Sequence, residues 1–212
     1  MKKLLTGGIG NGFHNNGKSG LKAIDLFAEV PFQHELQFLY DNLELKIGHL
    51  DRKAITITSS TMGEGSSTLA AYYALQLARG HFHPVNGANG SSGEATRDVL
   101  LIDANFRHPS IHDLFDIENR IGFADLLRKK VEMRNCITYL EHANLNIITT
   151  GQDANRSIKE FNSEALKNVM SQLREHFAYI IIDSAPVLSN LDTIAMTQLT
   201  NGLALVVRAE TT

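Results

Sequence analysis

The sequence predicts an α/β fold in which a mostly parallel central sheet is flanked by helices on both faces. Two observations predict this fold. The candidate strands are continuous apolar runs, which is typical of parallel strands that are buried on both faces. They also alternate with candidate helices along the chain, as a parallel sheet requires. With 212 residues, the chain is long enough for one such domain.

Five candidate strands follow one another along the chain. The first covers residues 54–60 (AITITSS), where β-branched side chains favour extended backbone. The second covers residues 99–104 (VLLIDA) and is apolar apart from Asp103. The later strands cover residues 145–149, 179–183 and 202–208. Because parallel sheets of this kind bind ligands beyond the carboxyl ends of their strands, the polar residues at those ends mark the expected site.

Candidate helices connect these strands. Leu36, Leu39 and Leu43 recur at helical spacing within residues 21–50, and we expect them to face the core. An Ala- and Leu-rich helix is predicted over residues 67–79 and an amphipathic helix over residues 162–176. Shorter helices are expected from about Ser110, over residues 122–128 and over residues 191–199.

Two segments differ from the rest in composition. Residues 1–20 are rich in Gly and Asn without periodicity, and we predict a flexible tail. Residues 80–97 are rich in Gly, Asn and Ser, which predicts a surface-loop insertion in a single domain over residues 21–212. His81 and His83 have the spacing of metal ligands, but they lack partners there, so we interpret them as solvated loop residues.

Composition excludes several classes of protein. The formal net charge of −3 and the pI near 6.3 lack the basic excess that is typical of nucleic-acid binding. Cys136 is the one cysteine, so no internal disulfide forms, which fits a protein of a reducing compartment. We expect the Cys136 side chain to be packed in the core. The longest apolar runs are strand-sized and predict no membrane span or signal peptide. We therefore expect a cytoplasmic domain.

A glycine-containing turn, residues 60–68 (STMGEGSST), lies between the first strand and the helix after it. Such a turn directs backbone N–H groups at an anion, beside the positive end of the helix. Ser67 stands where a Mg²⁺-binding hydroxyl is expected, but Ser66 stands where the phosphate-binding lysine is expected. We therefore expect weak or lost binding of ATP, ADP and Mg²⁺. The candidate nucleotide-binding residues are Gly63, Glu64, Gly65, Ser66, Ser67, Thr68 and Arg107.

Residues 12–19 (GFHNNGKS) also match the phosphate-loop pattern, at every position. The context is wrong for such a loop, because no strand precedes the motif and Gly20 is a poor helix start. We interpret these residues as part of the polar tail.

Four segments, in order, resemble the cytoplasmic domains of bacterial tyrosine kinases of exopolysaccharide and capsule synthesis, which are MinD/ParA-like P-loop ATPases. Residues 57–65 (ITSSTMGEG) resemble the phosphate loop of that family, and residues 99–109 (VLLIDANFRHP) resemble its second acidic motif. Residues 122–127 (GFADLL) and 180–188 (IIIDSAPVL) resemble two further motifs, the second being the Walker B segment. The resemblance spans about residues 30–212 and implies a P-loop NTPase-like fold. It implies Mg²⁺ binding by Ser67, Asp103 and Asp183, and catalytic roles for the two aspartates.

Three departures from the family pattern fall on functional positions. Ser66 replaces the loop lysine, and Asn105 replaces the second carboxylate of the Asp-x-Asp motif. The Glu-x-x-Arg-x-x-Arg pattern by which the family assembles rings is replaced at His34, Gln37 and Tyr40. Together these losses imply that Asp103 and Asp183 are vestigial and that the family ring does not form. The helix instead offers a replacement partner surface, which we expect at Gln37, Phe38 and Tyr40.

The resemblance implies a regulatory protein of exopolysaccharide synthesis or export. Its partner would be the cytoplasmic end of an inner-membrane polysaccharide chain-length (co-polymerase) protein, which would place the chain peripherally at the inner membrane. The alternative is an active ATP-dependent tyrosine autokinase or ATPase in which Lys18, Arg97 or a partner in trans supplies the missing cation. A third hypothesis, a MinD/ParA-like positioning ATPase, is disfavoured because such loops carry two lysines and this loop carries neither.

Overall fold

A computed structural model describes residues 33–80, 98–152, 163–188 and 191–208. The predicted tail over residues 1–20, the second phosphate-loop pattern at residues 12–19 and almost all of the predicted insertion, with His81 and His83, lie outside the described residues.

The described residues form one sheet of six strands. Their spatial order is β3-β4-β2-β5-β1-β6, and all neighbours are parallel except β3 and β4. This order confirms the predicted mostly parallel sheet, whereas the short antiparallel strand β3 was not predicted. The strands are β1 (Lys53–Ser59), β2 (Val99–Ala104), β3 (Thr138–Leu140), β4 (Leu145–Ile148), β5 (Tyr179–Ser184) and β6 (Gly202–Val206).

Helices occur where the sequence predicts them. The first begins at the start of the described residues, so the predicted helical segment before residue 33 lies outside them. Two short 3₁₀ helices, Met133–Asn135 and Glu141–Ala143, flank β3. The α-helices are α1 (Gln33–Ile47), α2 (Ser66–Ala78), α3 (Ile111–Phe115), α4 (Phe123–Leu127), α5 (Ser163–His176) and α6 (Leu191–Thr197). None of the helices in the described ranges is both long and apolar enough to cross a bilayer.

Alternate side chains of the strands enter two separate cores. On β2, Val99 and Leu101 join the core that α1, α2 and α3 cover, and Leu100 and Ile102 join the core that α4, α5 and α6 cover. Successive side chains of a strand point to opposite faces, so an uninterrupted apolar strand buries both faces at once. This is the physical origin of the continuous apolar runs in the sequence.

Helix α1 is held against the sheet by its apolar face and by one polar cluster. Leu36 is buried, and Leu39 and Leu43 pack against the same core, as expected. Tyr40 is only 2 % exposed, so the prediction that it belongs to a partner surface is wrong: the tyrosine ring is buried on the core side of the helix. Phe38, which is 72 % exposed, does lie on the outer surface.

The polar cluster joins α1 to two strands. The Tyr179 hydroxyl donates to Glu44 Oε1 over 2.6 Å, and Lys53 Nζ lies 3.7 Å from Glu44 Oε2. Lys53 Nζ also lies 4.9 Å from the centroid of the Tyr179 ring, within the range of a cation–π contact. The cluster therefore connects α1 with the starts of β1 and β5.

Candidate functional site

The loop between β1 and α2 forms an open anion cradle. Gly63 and Gly65 have φ values of 83° and 92°, in the left-handed region that glycine adopts without strain. A Cβ atom added at either glycine would meet nothing within 4 Å, so the cradle is open on that side. Gly65 is also the N-cap of α2, which brings the unpaired N–H groups and the positive dipole end of that helix to the loop. This geometry suits a phosphate group.

The Glu64 side chain is hydrogen-bonded to the first residues of its own loop. Its carboxylate accepts hydrogen bonds from the backbone N–H groups of Ser60 and Thr61, over 2.8 and 2.9 Å, and from the Ser60 hydroxyl. The bonds from the Thr61 N–H and the Ser60 hydroxyl are the main causes that lower the pKa of Glu64 to about 2. Glu64 is thus ionised at neutral pH and acts as a clasp of the loop.

Ser66, at the expected lysine position, turns inward. It is 8 % exposed, and its hydroxyl lies 3.5 Å from Ser59 Oγ at the end of β1. Ser59 Oγ in turn donates to the Thr61 carbonyl over 2.8 Å. The Ser66 side chain therefore supplies neither a charge nor a hydroxyl to the open cradle, although its backbone N–H stands in the first turn of α2.

The segment after β5 is hydrogen-bonded to the end of β1, where the phosphate loop begins. The backbone N–H of Val187 donates to the Ser59 carbonyl over 2.9 Å. The hydroxyls of Thr58 and Thr193 both donate to the Ala185 carbonyl, each over 2.8 Å. These bonds fix the carboxyl end of β5, and Asp183 on it, beside the carboxyl end of β1.

Asp103 and Asp183 are register partners on β2 and β5. The Asp103 carboxylate accepts backbone N–H groups from Asn105, Ser110 and Ile111, over 3.1, 3.0 and 3.0 Å. It therefore holds the turn after β2 and the first turn of α3. Burial raises the pKa of Asp103 to about 6, although the hydrogen bonds from Ile111, Asn105 and Ser110 act in the opposite direction.

Asp183 is fully buried, and neither of its carboxylate oxygens has a hydrogen-bond partner of good geometry. Burial, followed by the nearby charge of Asp103, raises the pKa of Asp183 well above its usual value, and the neighbouring Ser67 hydroxyl opposes the rise. A buried carboxylate without a partner fits a position that holds a cation.

Asp183 and Ser67 are the residues that would hold Mg²⁺, which would offset the charge of a bound phosphate. Among the described residues, no three His, Cys, Asp or Glu side chains cluster as a metal site. The remaining Mg²⁺ ligands would therefore be water and phosphate oxygens, as is usual for this ion.

Asn105 and Arg107, both predicted near the site, differ in burial and in their contacts. Asn105 is 8 % exposed, and its side-chain oxygen accepts the His108 N–H over 3.3 Å, so this amide supports the turn. Arg107 is exposed beyond that turn and makes no ion pair or hydrogen bond with any described residue. Sequence reasoning missed the clasp by Glu64 and the capping by Asp103. The sequence could have indicated only the Glu64 contact, because Ser60 and Glu64 are four residues apart in the same loop.

Cys136 lies away from this site. It is buried and free, and its thiol lies 3.8 Å from the Glu132 carbonyl, which agrees with the predicted packing role. Burial and the charge of Asp125 raise the pKa of the thiol to about 11, so it is protonated at neutral pH.

Known proteins with similar sequences are named as tyrosine kinases or as polysaccharide transport proteins. Tyrosine-protein kinase YwqD of Bacillus subtilis (strain 168) is 27% identical over 195 residues, 91% of this chain and 76% of YwqD. Tyrosine-protein kinase ptk of Acinetobacter johnsonii is 28% identical over 155 residues, 67% of this chain and 21% of ptk. The succinoglycan biosynthesis transport protein ExoP of Rhizobium meliloti (strain 1021) is 27% identical over 160 residues, 74% of this chain and 18% of ExoP. The chain thus spans about a fifth of ptk and of ExoP.

Solved structures agree on the fold. The chimerical protein CapA2B2 superposes with a TM-score of 0.69 at 24% identity, covering 86% of this chain and 74% of that protein. The kinase domain of Escherichia coli ETK gives 0.70 at 19% identity, covering 84% and 64%. An ATP complex of a Cyanothece McdA variant gives 0.59 at 21% identity, covering 76% and 58%. At these identities the likeness establishes the fold alone.

No protein-family model matches the chain. The two tyrosine kinase relatives align with 91% and 67% of this chain, and the solved structures share its fold. The chain is therefore similar in sequence to bacterial tyrosine kinases, and it shares the fold of their kinase domains.

Proposed function

We propose that the chain is a catalytically impaired relative of the bacterial tyrosine kinases that regulates exopolysaccharide synthesis or export. In this proposal it acts by docking to the cytoplasmic end of an inner-membrane polysaccharide co-polymerase. Nucleotide binding is weak or lost, and the retained fold serves recognition in place of phosphoryl transfer.

The observation that carries the proposal is that Ser66, at the lysine position of the loop, points inward and is uncharged. In P-loop enzymes, a lysine at this position bridges the outer phosphates and offsets charge that develops during transfer. Here the side chain is 8 % exposed and carries no charge. The cradle can still offer backbone N–H groups to an anion, but a triphosphate loses its main cationic contact on the loop.

The turn after β2 supports the same proposal. Asn105 cannot take up a proton from a substrate hydroxyl or add negative charge near Mg²⁺. Asp103 already accepts three backbone N–H groups, so its oxygens are engaged in holding the turn and α3. Both positions thus serve the local structure.

The proposed partner follows from the relatives. ExoP is named as a biosynthesis transport protein of succinoglycan, and YwqD and ptk are named as tyrosine kinases. A domain of this family that acts in polysaccharide export would meet a membrane-bound co-polymerase at the inner membrane. The exposed Phe38 on α1 is one apolar side chain that is available for such docking.

Isothermal titration with Mg-ATP and Mg-ADP tests the impaired site. We expect no measurable binding to the native chain at ligand concentrations of about 100 μM. After Ser66→Lys, we expect a Kd at least tenfold below that concentration. Thr61→Lys is the matched control, because it adds the same charge at an exposed position of the same loop. Micromolar binding by the native chain, or an equal gain in both lysine variants, would contradict the proposal.

A second candidate, an active ATP-dependent tyrosine autokinase, is favoured by one observation. The Asp183 carboxylate is buried without a partner, as a working metal site would have it, and exposed Arg107 is a candidate for the missing cation. Mass spectrometry of the protein incubated with Mg-ATP decides between the candidates. Phosphotyrosine that disappears in both Asp183→Asn and Arg107→Ala would favour the enzyme over the regulatory protein.

A further inference from the structure

A polar cleft opens between α5 and the segment that joins α6 to β6. Its volume is about 330 Å³, which is at the lower end of the range of about 300–1,000 Å³ for small-molecule sites. One wall is formed by α5 and carries Lys167, Ser171 and Arg174. The opposite wall carries Leu199, Thr200 and Asn201.

This cleft is separate from the phosphate loop. The helix α5 packs in the core on the face of the sheet opposite α2, the helix that follows the loop. Asn201 lies at the other end of β1, where its N–H donates to the Ala54 carbonyl over 2.7 Å. The cleft is therefore on the opposite face of the sheet and near the opposite ends of the strands.

Both charged side chains that line the cleft are positive. Lys167 and Arg174 are seven residues apart on α5, which places them two turns apart on one face of the helix. No acidic side chain lines the cleft among the residues that the structure describes, and neither cation has an ion-pair partner there. In a chain with a net charge of −3, two cations in one concavity, without an acidic neighbour among the described residues, favour an anionic ligand.

The cleft is also organised before a ligand arrives. Arg174 Nη2 donates to the Leu199 carbonyl and lies 3.5 Å from Asn201 Oδ1. Asn201 Oδ1 also accepts the Ala54 N–H over 2.9 Å, so the wall that holds the guanidinium is fixed to β1. A cation that is already held in place loses little further freedom upon binding, which favours affinity.

We propose that this cleft binds the phosphate group of a small phosphorylated molecule. The Lys167 ammonium and the remaining N–H groups of Arg174 would share the phosphate oxygens, and the Ser171 hydroxyl would donate a further hydrogen bond. A dianionic phosphate suits two cations and several donors better than a single carboxylate does. The site would serve recognition, independently of whether the phosphate loop binds nucleotide.

Two-dimensional NMR of the ¹⁵N-labelled chain tests this proposal with inorganic phosphate and with glycerol 3-phosphate, at constant ionic strength. We expect saturable shifts of the amides of Lys167, Ser171 and Arg174. The affinity should fall at least tenfold in Lys167→Ala and in Ser171→Asp, the second of which places a negative charge in the cleft. Lys46→Ala, which removes an exposed lysine from α1, should leave the affinity unchanged.

Several outcomes would overturn the proposal. Shifts confined to residues 63–68 would assign the phosphate to the loop, and an equal loss of affinity in Lys46→Ala would show a non-specific charge effect. Vesicles of phosphatidylglycerol, compared with phosphatidylcholine, identify a lipid source of the phosphate. Binding to phosphatidylglycerol without a response to soluble phosphates would exclude a small-molecule ligand.

Discussion

Asp103 and Asp183 lie side by side on β2 and β5, but only the Asp103 carboxylate accepts hydrogen bonds of good geometry. Three backbone N–H groups stabilise the Asp103 carboxylate, whereas the Asp183 carboxylate is buried beside it and neither of its oxygens has a hydrogen-bond partner of good geometry. Two neighbouring buried carboxyl groups disfavour double ionisation, so the pair retains protons above the usual range of aspartate. In the absence of a cation, Asp183 is thus a destabilising position of the fold at neutral pH.

The pair predicts a pH-dependent gain in stability from Asp183→Asn. Because folding raises both pKa values, the folded state binds protons more tightly than the unfolded state, and stability falls as the pH rises from about 4 through the Asp103 value of about 6. Without metal, we expect the variant to be more stable than the native chain by about 1–3 kcal/mol at pH 8 and by much less at pH 3.5. Urea unfolding at both pH values measures the difference.

Asp51→Asn is the control for this measurement, since it removes a carboxylate at an exposed position. It should change the free energy of unfolding by less than about 0.5 kcal/mol at both pH values. A loss of stability in Asp183→Asn at pH 8 would mean that the buried carboxylate has a stabilising partner.

The Glu64 carboxylate in the phosphate loop should titrate at an unusually low pH. Its pKa is lowered to about 2, so the hydrogen bonds that it accepts are fully present above pH 4.5 and are lost as the pH falls through 2. We expect the amide proton shift of Thr61 to report a midpoint near pH 2. The same titration of Glu64→Gln should lack this transition, and a Thr61 midpoint near 4.5 in the native chain would show that the clasp does not form.

Gly122 predicts a large loss of stability upon Gly122→Ala. A Cβ atom there would lie 2.2 Å from the Thr149 carbonyl oxygen and 2.3 Å from the Gly151 nitrogen, both of which are backbone atoms. Backbone cannot give way as a flexible side chain can, and we expect a loss of roughly 2–4 kcal/mol.

Gly80→Ala is the matched control for Gly122→Ala, because its Cβ atom meets nothing within 4 Å and only its φ of 70° is unfavourable. That strain should cost about 1 kcal/mol. Thermal unfolding of the two variants measures the contrast, and equal losses would refute the close approach of Gly122 to the backbone after β4.

Loss of the Tyr179 hydroxyl should lower the free energy of unfolding. Its bond to Glu44 joins β5 to α1 in a partly buried position and has a charged acceptor, so Tyr179→Phe should destabilise the chain by about 1.5–3 kcal/mol. In the control Tyr139→Phe, the lost hydroxyl bonds Asn144 at an exposed position, and we expect a loss below about 0.5 kcal/mol. Urea denaturation compares the variants, and indistinguishable midpoints would show that the Glu44 cluster does not stabilise α1.

The sequence by itself determined most of the elements in their order along the chain, and the chemical losses. The apolar runs predicted the strands because a buried parallel strand has no polar face, and the glycines predicted the turn between β1 and α2 because only they adopt its backbone without strain. The absence of a lysine at position 66 and of a carboxylate at position 105 needs no structure to be recognised, since side-chain charge is a property of the residue.

Only the tertiary structure decided how these residues are used. Asp103 and Asp183 end similar apolar strands, but two of the three N–H groups that Asp103 accepts come from a chain reversal seven and eight residues later. Periodicity carries no information about such a reversal. The burial of Tyr40 and the cleft between α5 and the segment that joins α6 to β6 likewise depend on which elements lie side by side. Contacts between distant segments follow from packing in three dimensions, and the local pattern of residues constrains them only weakly.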